Sequence, residues 1–190
     1  MTETEKPYHL PYVVKNFLDQ EDCPGIINFI NENVEGKNDH ARRKLIRYGI
    51  DYMNGHTDPL PDDDFGKMIK EYCDRAGKIV KILYNIEEEL YLSTVWFSRQ
   101  QPGANIIRHM DTDSGFQKQY MYSGVLYLNT PETGGEIVFS RLNFSYKPEA
   151  GDFIFFESAD KRSIHGVNAA SDFRYAIPIW FTTDPEYRMA

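Results

Sequence analysis

In the stretch RHMDTDSG, His109 and Asp111 stand two residues apart, a second acid follows at Asp113, and the run breaks at Gly115. At the end of a strand, residues i and i+2 project to the same side, so an imidazole and a carboxylate would aim at one point. That is part of a divalent-metal site. The bland alternative is a solvated polar turn, because a histidine beside a turn is commonly just hydrogen-bonded and this spacing arises often by chance.

A metal would need a further ligand from elsewhere. The chain has five histidines, His9, His40, His56, His109 and His165. Beyond the first pair, only His165, in SIHGVN, lies in a second strand-like segment. Two imidazoles and one carboxylate form the facial donor set that suits non-haem Fe(II) and leaves positions open, although the same three ligands would also take zinc. His56-Thr57-Asp58 repeats the spacing, but it sits in GHTDPLP, where Pro59 and Pro61 argue against a central strand. It reads as loop, or as a loop that touches substrate. Asp113 would share a face with Asp111 on a continuing strand, but roughly 7 Å away, and reads as a turn or supporting acid.

Arg174 follows His165 by nine positions, in RYAIPIWF, whose other side chains are almost wholly apolar. A guanidinium there needs an anionic partner, because burying it unpaired is very costly. Asp172 or Asp184 would make a structural ion pair; a small dicarboxylate would instead be gripped by the planar fork of donors. Alternation places Arg174, Ala176, Pro178 and Trp180 on one face, and Tyr175, Ile177, Ile179 and Phe181 on the other. The second face is continuous core, so the first lines a cavity.

A chain of 190 residues, 41% hydrophobic, has the length for one core-bearing domain, taken as residues 1–190. Residues 1–10 read as a polar tail and YVVKNF as a short strand, after which Asp19 or Asp22 can cap a helix carrying Ile26, Ile27, Phe29 and Ile30. Residues 36–64, rich in Gly, Asn, Asp and Pro around ARRK, read as a long mobile surface loop. From Asp62 onward, Phe65, Met68, Ile69, Tyr72, Cys73, Ala76, Ile79, Val80 and Leu83 keep helical spacing. After Glu89, about eight β-branched and aromatic segments, from YLSTVWFSRQ to RYAIPIWFTT, are separated by turn residues. Helices followed by an antiparallel run predict an α+β, mostly β fold, a two-sheet jelly roll with the N-terminal helices on one sheet.

The balance of 21 basic against 29 acidic residues, a net charge of -8, argues against nucleic acid or an anionic membrane as partner. No apolar run approaches the ~20 residues of a membrane span, and MTETEKPYHL has no signal-peptide core. The expectation is a cytoplasmic location. Cys23 and Cys73 fall in helical segments and read as small buried hydrophobes rather than as a disulfide or a zinc-thiolate site.

Taken in order, HMD at 109–111, YLN at 127–129, GGEIVF at 134–139, KPEAGDFIFFES at 147–158, IHGV at 164–167 and RYAIPIWF at 174–181 resemble the Fe(II)- and 2-oxoglutarate-dependent oxygenases, specifically the prolyl 4-hydroxylase branch. Several blocks in the right order are far more specific than any single motif. The resemblance runs from YVVKNFLDQEDC to WFTTDPEYR. It implies a double-stranded β-helix with His109, Asp111 and His165 as iron ligands. It also implies that Arg174 and Tyr127 hold the far carboxylate of 2-oxoglutarate and that Trp180 lies near the substrate proline; core packing is the alternative for Tyr127 and for Trp180.

The implied reaction is hydroxylation of proline in a peptide or protein, with dioxygen as second cosubstrate, 2-oxoglutarate decarboxylated to succinate, and ascorbate as a candidate reductant. Collagen-type members usually carry Lys where Arg174 stands, so the chain looks closer to the small bacterial and oxygen-sensing members. A hydroxyl residue common two positions later is here Ala176. A nucleic-acid demethylase would carry a second Arg at the place of Trp180, and a halogenase would lack Asp111. Arg47, Tyr48 and Tyr52 in the loop could fold over a bound peptide; otherwise the loop is a surface excursion. Hydroxylation of another residue or of a free amino acid stands as an alternative. So does a non-catalytic jelly-roll binding module.

Overall fold

The change from helical to alternating periodicity near Glu89 marks where two helices give way to sheet. A computed structural model describes residues 9–34, 43–51, 56–113 and 118–189. In chain order these form β1 (Tyr12–Val14), α1 (Cys23–Asn33), β2 (Arg43–Asp51), β3 (His56–Asp58), α2 (Asp64–Leu83), β4 (Tyr91–Gln100), β5 (Ile106–His109), β6 (Tyr122–Tyr127), β7 (Ile137–Phe139), β8 (Phe144–Tyr146), β9 (Phe153–Glu157), β10 (His165–Val167) and β11 (Arg174–Thr182). The eight segments read as strands after Glu89 correspond one for one to β4 through β11.

The strands make a jelly roll. A seven-stranded sheet has the order β1-β9-β6-β11-β4-β2-β3, and a four-stranded sheet the order β5-β10-β7-β8. Both α-helices lie on the outer face of the larger sheet. Their apolar stripes, including Ile26, Ile30, Ile69, Cys73, Ala76 and Val80, form one core with Val95, Phe97, Leu126, Ile177, Ile179 and Phe181. A second, smaller core lies on the other face and contains Val125, Tyr127, Ile137, Phe139, Ile154, Phe156 and Ala176. Alternation along β6, β9 and β11 therefore feeds two cores from the same strands.

The helices are fixed by local chemistry. The Asp63 carboxylate accepts the Gly66 N–H at 2.8 Å and caps α2. Gly66 itself lies so close to the Pro61 carbonyl oxygen that an added Cβ would sit 1.7 Å from it. Asp22 is the N-cap of α1 but makes no side-chain cap bond; its carboxylate instead accepts the Tyr72 hydroxyl of α2 at 2.5 Å, joining the two helices.

The expected loop at 36–64 is corrected by β2 and β3. β2 runs antiparallel to β4 from Arg43↔Gln100 to Gly49↔Thr94, and β3 pairs with its far side. The strand is masked in the sequence because its short amphipathic run lies between turn-rich flanks: Ile46 and Tyr48 pack into the helix-covered core, while Arg47 between them is exposed. His56-Thr57-Asp58 is likewise strand rather than loop, but it is the last strand of its sheet, where prolines can follow closely. Residues 36–42 and 52–55, Tyr52 among them, lie outside the described residues, and residues 59–63 connect β3 to α2, which begins at Asp64. Of the expected polar tail, His9 is tied down, its Nδ1 lying 2.7 Å from Glu157 Oε1.

Phe97 is fully buried where sheet and helices meet, edge-on to Phe29 at 5.4 Å and to Tyr48 at 5.7 Å. Phe97→Ala should destabilise the fold by about 3 to 5 kcal/mol, read as a lowered urea midpoint with an unchanged slope.

Candidate metal centre

β5 and β10 are neighbours in the smaller sheet, and their register sets His165 opposite His109. The same ladder pairs Val167 with Ile106, so a step of two residues along β10 matches a step of three along β5: β5 carries a bulge. Strict alternation would send Ile106 and His109 to opposite sides; with the bulge, both line the same cavity. The two imidazole rings lie 4.6 Å apart. His109 Nδ1 is 2.9 Å from the Ile107 carbonyl oxygen and His165 Nδ1 is 3.0 Å from that of Ser163. A carbonyl only accepts, so each Nδ1 carries the proton and each Nε2 presents a lone pair.

Asp111 lies just beyond the end of β5, in a turn. Strand alternation alone therefore does not aim it. Its Oδ2 accepts the Ser123 hydroxyl at 2.5 Å and the Trp180 indole N–H at 2.9 Å. Oδ1 is left facing the histidines, 3.2 Å from His109 Nε2 and 3.9 Å from His165 Nε2. Donor atoms of the three residues all lie within 4.8 Å of one another. Three acceptor atoms converging without a proton among them repel unless a cation sits between them, and this donor set is the one suited to a divalent metal with open positions. Burial pushes the Asp111 carboxyl up, but His165, His109 and Ser123 outweigh it and hold the group well below the usual carboxylate range. Burial against Phe156 and Phe139 lowers His165, against the opposing pull of Asp111. The two histidines differ in access: the His109 side chain is 36% exposed and that of His165 is 7% exposed. Asp113 takes no part; its carboxylate accepts the Met110 N–H at 2.9 Å within the turn.

The same cavity, of about 180 Å³, reaches Arg174 and is also lined by Trp96, Ser98, Pro178 and Trp180. Arg174 is buried, and among the described residues it has no carboxylate partner. Asp172 is engaged by the Glu132 N–H and the Ser171 hydroxyl, and Asp184 by the Glu186 N–H, and neither makes the structural ion pair with Arg174 that stood as the alternative. The guanidinium donates one long bond, 3.4 Å, to Gln100 Oε1 and lies 5.1 Å from the centroid of the Tyr127 ring. Among the described residues, Arg174 Nε and the Tyr127 hydroxyl are both buried without a hydrogen-bond partner. Burial pushes the Tyr127 hydroxyl up and the Arg174 charge opposes it, so the hydroxyl stays protonated and able to donate. A buried cation and a buried donor side by side fit an anionic group such as a carboxylate.

Trp180 lines the cavity, packs edge-on against Trp96 at 4.6 Å and stacks on Tyr120 at 5.3 Å. Arg47 sits with its guanidinium carbon 4.8 Å from the Trp96 ring centroid, on the cavity side of β2. Tyr48 points to the opposite side, against Phe97, and does not reach the cavity. Ser123, Ser158 and Gln100 support the site without having been singled out from sequence. The available signal was a polar residue in an apolar strand, as in YSGVLY, on the parity of Val125 and Tyr127.

Residues 95–182 match the model of the 2OG-Fe(II) oxygenase superfamily, and they contain the three candidate ligands and Arg174. This region is a 2OG-Fe(II) oxygenase domain. Over 73 residues the chain is 40% identical to human prolyl 3-hydroxylase 2 and 38% identical to the chicken protein, in each case covering 35% of this chain and 10% of the relative. The chain thus spans about a tenth of the length of these curated relatives. Among solved structures, the viral collagen prolyl hydroxylase of Paramecium Bursaria Chlorella virus-1 in complex with 2OG is similar with a TM-score of 0.70 at 21% identity, covering 91% of this chain and 96% of that one. A Pseudomonas putida prolyl-4-hydroxylase gives 0.66 at 21% identity, covering 92% of each chain. A Trichoplax adhaerens prolyl hydroxylase in complex with a hypoxia inducible factor peptide gives 0.65 at 20% identity, covering 94% and 85%. These likenesses establish the fold of the oxygenase domain. Among the described residues, no helix is long and apolar enough to cross a membrane.

For this oxygenase domain, Asp111→Ala should abolish Mn(II) binding in anaerobic calorimetry, whereas Asp113→Ala should retain it. The reverse pattern would reassign the carboxylate ligand.

Proposed function

We propose that the protein is an Fe(II)- and 2-oxoglutarate-dependent hydroxylase of proline in a peptide or protein, with carbon 4 of the ring as the first position to test. One observation carries the reading. Two imidazole Nε2 atoms and one carboxylate oxygen converge in a cavity that also holds a buried arginine with no carboxylate partner among the described residues. That arrangement supports a metal at one place and an anionic cosubstrate beside it. The superfamily match over residues 95–182 supports iron and 2-oxoglutarate in those places, and the named activities of the relatives support proline as target.

In this reading His109, Asp111 and His165 hold the iron. Arg174 neutralises the distal carboxylate of 2-oxoglutarate and the Tyr127 hydroxyl donates to it. Iron with 2-oxoglutarate and dioxygen supplies the oxidising chemistry, releasing succinate and carbon dioxide, and ascorbate serves as reductant. The chain's own part is placement and exclusion of water. Ile106, Ile137, Phe156 and Val167 give the cavity an apolar wall that disfavours water against it, and Trp96 and Trp180 offer flat faces that suit a proline ring. Arg47 stands at that aromatic wall as a polar contact for the peptide. The acidic chain as a whole, with net charge -8, suits neither nucleic acid nor an anionic membrane as partner. A cytoplasmic location completes the proposal.

The curated relatives favour a second ring position, because they are named prolyl 3-hydroxylases while the solved Pseudomonas structure is named a prolyl-4-hydroxylase. Purified protein supplied with Fe(II), 2-oxoglutarate and ascorbate should form succinate faster when proline-rich peptides are added, and the peptides should gain 16 Da on proline, a mass set by one oxygen atom. Fragmentation against 3- and 4-hydroxyproline standards decides the carbon. Succinate without peptide modification would discard proline as the target; no succinate from a folded, iron-loaded sample would favour a binding module.

Arg174→Ala should weaken 2-oxoglutarate binding by roughly 30-fold or more, from the loss of about 2 kcal/mol or more when a buried charge loses its partner, with Mn(II) affinity unchanged. Equal cosubstrate affinity in the variant would return Arg174 to a structural role.

A further inference from the structure

We propose that Trp180 and Ser123 are positioning residues that together occupy one oxygen of Asp111, so that only the other is presented to the metal. The proposal rests on the metal-site reading above and adds a division of labour within its carboxylate. Both donors act on Oδ2: the Ser123 hydroxyl at 2.5 Å and the Trp180 indole N–H at 2.9 Å. An indole N–H can only donate, so the Trp180 bond fixes which oxygen is held. Ser123 is kept in place by Ser158, whose hydroxyl lies 2.7 Å from its own.

The need for such a grip follows from the fold. His109 and His165 stand on paired strands, whereas Asp111 stands in a turn beyond β5, where the backbone alone does not fix its side chain. The grip comes from elements of the larger sheet: Ser123 on β6, Trp180 on β11 and Ser158 immediately after β9. All four side chains are buried, so these bonds do not compete with bulk water. The indole is itself wedged between Trp96 and Tyr120, and the Tyr120 hydroxyl lies 2.9 Å from Thr94 Oγ1. A carboxylate with both oxygens free can bind a metal through both and so fill a position that this chemistry leaves for other ligands. With Oδ2 saturated by two donors, Asp111 contributes one oxygen.

The test uses the full chain loaded with Co(II), comparing wild type with Trp180→Phe and Ser123→Ala. The readouts are visible absorption, Co(II) affinity by competition with a chelating dye, and circular dichroism of the metal-free proteins. Each variant should bind Co(II) roughly tenfold or more weakly and show a cobalt spectrum shifted toward a higher coordination number, with metal-free circular dichroism unchanged. Ser123→Ala removes only a hydroxyl, so it retains the test should Trp180→Phe fail to fold. Wild-type spectra and affinity in both variants would overturn the proposal. A change in Trp180→Phe with none in Ser123→Ala would reduce the tryptophan to packing and overturn the shared grip. Wild-type protein that takes up no Co(II) would overturn the metal-site reading itself, and the proposal with it.

Discussion

His109 and His165 face one another across the ladder between β5 and β10, and a slip of one residue in that ladder would turn one imidazole away from the other. Register in a three-residue strand is weakly specified by its own pairing. Here it is reinforced on the other side, where β10 pairs with β7 in unbroken register from His165↔Phe139 to Val167↔Ile137. The aromatic residues around His165 thus hold the strand that carries it. Gly166 completes the fit: a Cβ there would lie 2.8 Å from the Ile106 carbonyl oxygen and 3.3 Å from Arg108 Cγ, so the bulged β5 can approach β10 only over a glycine.

β11 shows how one strand serves stability and chemistry at once. Its Ile177, Ile179 and Phe181 face the helices and belong to the large core, while Arg174, Pro178 and Trp180 face the cavity. The cavity face is costly by itself, because a buried guanidinium with one long hydrogen bond is poorly compensated. The apolar face offsets that cost with side chains that are almost wholly buried. The strand is central in its sheet, flanked by β6 and β4, so this tension is borne by two neighbours rather than by a free edge.

Much of this was legible in the sequence. The eight segments after Glu89 and the two helices carry clean periodicities, and the alternation along RYAIPIWF assigned both faces of β11. The candidate ligand residues were legible as types and spacing, but the means of aiming them was not. Asp111 is oriented by Ser123 and Trp180, partners 12 and 69 positions away, which no local pattern reports. The bulge that brings Ile106 and His109 to one side is equally silent, because IIRH reads as an ordinary strand. β2 was lost for a different reason: its short amphipathic run sits between Gly, Asn and Asp clusters, and local turn signals outweighed a pairing with β4 that only the tertiary fold supplies. Tyr48 shows the cost of that miss, since once β2 is a strand its parity opposes that of Arg47.

The unequal access to the two histidines gives the centre a front and a back. His165 is sealed behind Phe139 and Phe156, while His109 stands at the edge of its sheet with Ile107 beside it 74% exposed. Of the two imidazoles, His109 is therefore the one that the surrounding water reaches. Were an ion held by both histidines as proposed, its bond to His109 would be the first that water could replace, with His165 keeping hold while the other side opened.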